Sequence, residues 1–426
     1  MFEPDFLDKL AKETGVVQRK RKLSASVLLD TLLFAGLHSK EQSLNDLALD
    51  LLVEHDQLIS KQALDKKFTE KTVIFLQKVL DQLLVKGMSV RHNTSNSDQL
   101  ICSLKVKDST KFILPEQLQQ ELPGTKGRSG AAMASIQLEI DLINQQIESL
   151  SLNPGNHNDQ RESLNDMSSF KPKSLYIRDL GYVSIPYLKS IEDSGSYYVN
   201  RLLPKTYLFS KAHSGFKKVD WNELRKRLRV GDVISQKMYL GAEKYPARVI
   251  ISRVPKEVQE QRLRKLNAYN KRKGHQTSDE YKLRSEFNIL VSNLPESTEA
   301  ESIEKLYRLR WQIELIFKGW KSSLRLAEVK NCKKERVLSM LYSKLILGVL
   351  HWIISFSILS PEKSVSILKV YKVIVGTLTV LRKFIFRKDR KWLTLISKIG
   401  PRLLERENRQ GRVRVEETFK TLNTSW

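Results

Sequence analysis

Residues 133–143, MASIQLEIDLI, alternate without a break. Ala134, Ile136, Leu138, Ile140 and Leu142 take one side, and Ser135, Gln137, Glu139 and Asp141 take the other. A period of two belongs to a β-strand, so any fold for this chain must give this segment a strand neighbour and a buried face. Candidates for those neighbours flank it. QLICSLKVKD alternates Leu100, Cys102, Leu104 and Val106 and reads as a strand ending at Asp108, and QQIESLSL reads as a third strand. LNPGNHNDQ then reads as a turn and loop. SLYIRDLGYVS is a short apolar strand ending at Asp179, SIPYLKSIEDSG a short helix, and SYYVNRLL another strand. Together they predict a mixed α/β sheet.

The flanks have a different period. Up to about residue 95 the apolar spacing is helical, with SASVLLDTLLFAGL and SLNDLALDLLVEH each opened by a serine able to cap it. Within the next helical stretch, SKQALDKKF (Ser60–Phe68) looks like the second helix of a helix-turn-helix, with Lys61, Gln62, Lys66 and Lys67 projecting outward, or like an ordinary helix of a small bundle. From about 204 to 285 come the β-rich pieces TYLFS, DVISQKMYL and PARVIISRV, followed by a basic helical tract, Lys256–Arg284. This reads as an insertion, after which FNILVSNLP resumes an apolar strand and STEAESIEKLYRLRWQIELIFKGWK a capped helix. Everything beyond Leu324 looks helical, with a second basic tract from Arg382 to Arg414. The expected organisation is therefore 1–95 helical, 96–203 core, 204–285 insertion, 286–330 core resumed and 331–426 helical and basic.

The balance of 73 basic against 48 acidic residues leaves a net charge of +25, which calls for a polyanionic partner. Nucleic acid is the expected one, and an anionic membrane surface is the alternative. The most apolar run, Leu345–Leu359, is too short to span a bilayer and contains His351, so it reads as a buried helix. The opening MFEPDFLDKLAKE is acidic and amphipathic, unlike a signal peptide. Cys102 and Cys332 stand alone, which offers neither a disulfide framework nor a zinc knuckle and fits a reducing cytoplasm.

On the helix containing YRLRWQIELIFKGWK, Leu309, Ile313, Ile316, Phe317 and Trp320 share one side, and Tyr307, Arg310, Glu314 and Lys321 share the other. A solvated amphipathic helix with an Arg–Glu pair would look the same. Alternatively, the polar face sets a metal-binding acid among groups that grip a phosphodiester. Asp108 and Asp179, each at the end of an expected strand, could join Glu314 at one edge of the sheet. Hard oxygen ligands of that kind hold Mg²⁺, and paired ions serve phosphodiester cleavage.

The spacing Tyr307, Arg310, Glu314, Lys321 is identical at all four positions to the Y-R-E-K signature of the insertion-sequence-four family of DDE transposases, which this chain resembles. KVKDST around Asp108 and IRDLGY around Asp179 resemble that family's two aspartate motifs. The resemblance covers roughly Gln99–Arg325 and implies a ribonuclease H-like core whose last strand and helix are split off by the insertion. The 135 positions between Asp179 and Glu314 accommodate that insertion. It implies cut-and-paste transposition of an insertion sequence: Mg²⁺-dependent cleavage at terminal inverted repeats, with Mn²⁺ able to substitute, then transfer of a 3′-OH into target DNA. Asp108, Asp179 and Glu314 would be the metal ligands, and Tyr307, Arg310 and Lys321 would hold DNA phosphates. Where relatives pass through a hairpin, a flipped base stacks on an insertion Trp, and Trp221 is the one Trp in the insertion here. Lys61 and Gln62 would contact DNA from the N-terminal region. The expected partners are double-stranded DNA and a second copy in a synaptic complex, with no membrane, in the bacterial cytoplasm at the nucleoid. The competing readings are a non-catalytic DNA-binding remnant and a structure-specific nuclease.

Overall fold

The computed structural model describes residues 2–17, 23–38, 43–89, 100–125, 131–203, 205–358, 367–395 and 398. Five helices come first: α1 (Pro4–Glu13), α2 (Ala25–His38), α3 (Leu44–His55), α4 (Lys61–Asp65) and α5 (Glu70–Ser89). The two expected serine caps form, with the backbone N–H of Val27 donating to the Ser24 hydroxyl and Asp46 and Ser43 capping each other reciprocally. The helix-turn-helix resemblance fails on length. α4 has only five residues, capped by Ser60, which is too short for a recognition helix, and Lys61 and Gln62 stand exposed on it.

Next come β1 (Ser103–Leu114), β2 (Ala132–Asp141), β3 (Gln146–Pro154), α6 (Asp159–Asp166), β4 (Ser174–Arg178), α7 (Ile185–Asp193) and β5 (Tyr197–Arg201). The first three strands pair antiparallel, and β4 and β5 run parallel to β1. The order β3-β2-β1-β4-β5 is that of the ribonuclease H fold. α6 occupies part of what the sequence suggested was loop, its first turn closed by the Asn158 side chain accepting from the Gln160 N–H.

The insertion extends the same sheet. It contains β6 (Leu208–Ala212), β7 (Gly215–Lys218), α8 (Trp221–Arg227), β8 (Val233–Leu240), β9 (Tyr245–Arg253), α9 (Lys256–Lys273) and α10 (Asp279–Arg284). β10 (Phe287–Ser292) lies antiparallel between β5 and β9, giving ten strands in one sheet among the described residues. The core sheet is thus complete at β5, before the insertion. β10 is a seam rather than the resumed last core strand, because Tyr197–Arg201 already supplies the parallel neighbour of β4.

After β10 the chain is helical: α11 (Ala300–Arg308), α12 (Trp311–Ser323), α13 (Lys334–Ile358), α14 (Ile367–Gly376) and α15 (Leu378–Arg387). Strand alternation divides the core into two layers. Leu104, Val106, Leu175, Ile177 and Val199 face a cluster shared with the N-terminal helices and α11–α15. Tyr176, Tyr198, Val249, Ile251, Ile289 and Val291 face a second cluster with α7 and α8. α13 holds an apolar stretch long enough to cross a membrane, but 83% of that window is buried inside the fold.

The basic tracts divide by burial. In Lys256–Arg284, α9 buries no residue, whereas Arg284 at its end is buried and donates to the carbonyls of Thr206 and Leu203. Arg382 opens the second tract but is also buried. It forks onto Asp50 at 2.6 and 2.7 Å and donates to Asp30 at 2.7 Å, so it pins α15 to α2 and α3 rather than facing a phosphate. Of the rest of that tract, residues 396–397 and 399–414 lie outside the described residues.

Candidate active site

β1 does not end at Asp108. Thr110, Phe112 and Leu114 continue its alternation, and β2 pairs with it as far as Leu114↔Ala132. What ends near Asp108 is the parallel pairing with β4, whose last matched pair is Val106↔Ile177. Asp108 and Asp179 each lie two residues beyond that pair, at equivalent positions on neighbouring strands. Both therefore project from the face that Val106 and Ile177 use, where the two strands diverge.

The third acid comes from a helix pair. The expected single helix through Tyr307–Lys321 breaks into α11 and α12. Across the break, Leu309, Arg310, Gln312 and Ile313 donate their backbone N–H to carbonyls three residues back. Such a 3₁₀ stitch eclipses residues three apart, so Tyr307 and Arg310 stack on one side. The N-terminal cap expected for this helix is also not formed, since Glu299 at that position makes no side-chain cap bond. Leu309, Ile313, Ile316, Phe317 and Trp320 are all buried, and they lay the segment against the sheet.

With that face fixed, the polar residues reach the acids. The Tyr307 hydroxyl donates to Asp179 Oδ1 at 2.9 Å. Arg310 donates through one terminal nitrogen to Asp108 Oδ2 at 2.8 Å and through the other to Glu314 Oε1 at 2.6 Å. The other Asp108 oxygen, Oδ1, accepts from the Ser109 backbone N–H at 2.8 Å. Lys321, two turns further along α12, reaches the Lys111 carbonyl at 3.5 Å and so lies along β1 rather than on the acids.

Burial pushes the Asp108 carboxyl up to about 6. Arg310 and the Ser109 N–H oppose the rise, while the charges of Asp179 and Glu314 add to it. Burial, reinforced by the charge of Asp179, also raises the Tyr307 phenol far above its ordinary range, so it stays a donor. Burial lowers the Lys321 ammonium.

The acids supply only hard oxygen donors, the chemistry Mg²⁺ takes. As the side chains stand, no three acids, histidines or cysteines among the described residues are close enough to share an ion. Between Asp108 and Glu314 lies the Arg310 guanidinium. Behind the sheet, Lys107 and Arg178, neighbours of the two aspartates, are buried against Glu162, Asp166 and Glu139. Arg178 also donates to the Lys105 carbonyl, which ties β4 to β1.

Trp221 is not placed to stack on a base. It is 4% exposed, packed near Phe287 and beneath the Arg284 guanidinium. An exposed aromatic next in sequence to Arg310 is Trp311, which is 60% exposed. The sequence carried that signal, because Trp311 falls outside the apolar arc, about 60° from Glu314 at 100° per residue. Also missed was a cavity of about 170 Å³ between core and insertion, where Arg201, Arg262 and Arg284 converge among Leu180, Leu266 and Phe287. Burial lowers both Arg262 and Arg284 to about 10. These three arginines were hidden because they are about 20 to 80 residues apart in the chain.

The strand order, with a helix laid across it after a long insertion, is that of the ribonuclease H-like nucleases and transposases. The chain belongs to one family of these, the Transposase DDE domain family, which matches residues 104–350, and it is a transposase. It is 34% identical over 365 residues to the transposase for insertion sequence element IS231B of Bacillus thuringiensis subsp. berliner, covering 80% of this chain and 75% of that one. It is 32% identical over 362 residues to the IS231F transposase of Bacillus thuringiensis subsp. israelensis, covering 80% and 76%. Over 405 residues it is 28% identical to the IS1151 transposase of Clostridium perfringens, covering 87% and 83%. Among solved structures it is similar to piggyBac transposase in a synaptic complex with hairpin DNA, at 11% identity and a TM-score of 0.47 over 99% of this chain and 89% of that one. That likeness is too loose to transfer any residue's role.

Proposed function

We propose that Asp108, Asp179 and Glu314 are the catalytic carboxylates of a cut-and-paste transposase that cleaves DNA at terminal inverted repeats and joins the freed 3′-OH to target DNA. The observation that carries this reading is the convergence of all three acids on two residues of one helical segment: Arg310 on Asp108 and Glu314, Tyr307 on Asp179. A remnant that only bound DNA would have no reason to keep three partly buried acids gathered by one Tyr–Arg pair. Bound Mg²⁺, or Mn²⁺ in its place, would supply Lewis-acid activation of the attacking oxygen and stabilisation of the leaving one.

The chain's own residues do the rest. Tyr307 orients Asp179, and the Ser109 N–H fixes one oxygen of Asp108. Arg310 and Lys321 offer cationic groups to the phosphates flanking the scissile bond, one at the acids and one along β1. Trp311 offers an exposed ring to a base displaced at the cleavage point. The arginine-lined cavity and the exposed cations of α9, among them Arg264, Lys265 and Lys271, extend the phosphate-binding surface across the insertion. Lys61 and Gln62 add contacts from α4. Two copies act together on paired DNA ends at the nucleoid in the bacterial cytoplasm.

The experiment is donor excision in cells, with the gene supplied beside a marker flanked by its own native flanking DNA. The unaltered protein should excise the marker and Glu314→Gln should not. Excision by both would remove Glu314 from the catalytic set.

A further inference from the structure

Arg310 is committed in an unusual way for a residue meant to hold DNA. Its side chain is 11% exposed, and its two terminal nitrogens are spent on acids from different elements, Asp108 on β1 and Glu314 on α12. Its Nε is buried without a hydrogen-bond partner. The guanidinium is thus held by charged contacts at its tip, with the Tyr307 ring centroid 6.0 Å away, and remains short of one acceptor. It also lies between two of the three carboxylates, and among the described residues no three acids, histidines or cysteines are grouped closely enough to hold an ion.

We propose that Arg310 is an internal counter-ion that locks the DNA-free site, and that a DNA phosphate draws it off Asp108 and Glu314 so that the divalent cation loads only together with substrate. This rests on the assignment of the three acids as metal ligands. The exchange is electrostatically sensible. A phosphodiester offers the planar fork two acceptor oxygens and gives Nε a third partner, as bidentate guanidinium–phosphate contacts do. The acids, released from one positive charge, are then free for a doubly charged ion. The lock keeps a nuclease-competent centre unloaded away from transposon ends. The 3₁₀ stitch gives the swing a pivot, because Arg310 sits at the junction of α11 and α12 rather than inside either helix.

The test is a Mn²⁺ titration followed by electron paramagnetic resonance of the free ion, on full-length protein without DNA. The unaltered protein should bind Mn²⁺ weakly, and Arg310→Gln should bind it at least tenfold more tightly. Arg310→Met keeps the apolar stem without the charge, so it should also bind more tightly than the unaltered protein. It covers the case in which the glutamine variant fails to fold. Adding a pre-cleaved duplex of the native flanking DNA should raise the affinity of the unaltered protein tenfold or more and that of the variants less than threefold. Mn²⁺ affinity in the folded variants no greater than in the unaltered protein would overturn the lock. The ligand assignment fails separately: it is wrong if Glu314→Gln in the Arg310→Met background leaves Mn²⁺ affinity unchanged.

Discussion

Asp108 should cost the metal-free protein stability. Its carboxyl titrates near 6 in the fold against 3.8 when unperturbed. A shift of that size corresponds to about 3 kcal/mol of preference for the neutral form. The side chain is 20% exposed and the Arg310 contact can relax, so the realised cost is about 1–3 kcal/mol. The sign follows from the raised value. Between about pH 4 and 6 the folded state holds the proton that the unfolded chain has released, so stability falls as pH rises through that window and then levels off. Asp108→Asn, which is neutral at every pH and can still accept from Arg310, should therefore melt a few degrees higher than the unaltered protein at pH 8 in EDTA. The advantage should shrink towards zero near pH 4. Adding Mg²⁺ and end DNA should stabilise the unaltered protein and not the variant. Thermal melts of both proteins across this pH range are the assay. A variant less stable at pH 8, or one whose advantage does not vary with pH, would refute the claim that burial in the fold raises the Asp108 carboxyl.

Other positions give independent checks. Arg382→Ala leaves Asp50 without its buried cation and Asp30 with His55 alone, and should destabilise the fold by about 3 kcal/mol, measured by chemical denaturation. In Gly319→Ala the new methyl would meet the Tyr371 ring at 2.5 Å, pushing α12 off α14. It should cost about 1–3 kcal/mol and lower excision without touching an acid. Tyr371→Phe removes the acceptor of the buried Trp320 indole N–H, 2.6 Å away, and should cost about 1–3 kcal/mol in the same assay. Replacing Arg264 or Lys265 of α9 by Ala should reduce the slope of log K against log salt for DNA binding by about one each if both contact phosphate.

The sequence revealed the fold where one physical signal ruled. Strict alternation in 133–143 predicted β2, and the serine-opened apolar repeats predicted α2 and α3. It erred where local and tertiary signals compete. β1 continues past Asp108 because β2 pairs along its whole length, while the feature that positions the acid, the end of parallel pairing with β4, depends on a strand about 70 residues away. The helix around Arg310 read as continuous because nothing in YRLRWQ breaks a helix; the break is visible only as a change in hydrogen-bond spacing. Trp221 looked available because its exposure depends on Phe287 and Arg284, over 60 residues later. Three acids at one edge of the sheet were expected from spacing and resemblance, but their partners were not. Arg310 and Tyr307 read as groups for DNA phosphates, and in the DNA-free fold they hold the acids themselves.

The most direct test of the central claim is anomalous diffraction from Mn²⁺ in crystals of the full-length protein bound to a pre-cleaved end of its native flanking DNA. Anomalous density within coordination distance of Asp108, Asp179 and Glu314, with Arg310 moved onto a phosphate, is the predicted result. Ordered DNA at the site with no Mn²⁺ on these three carboxylates, or Mn²⁺ bound to other residues, would contradict the account.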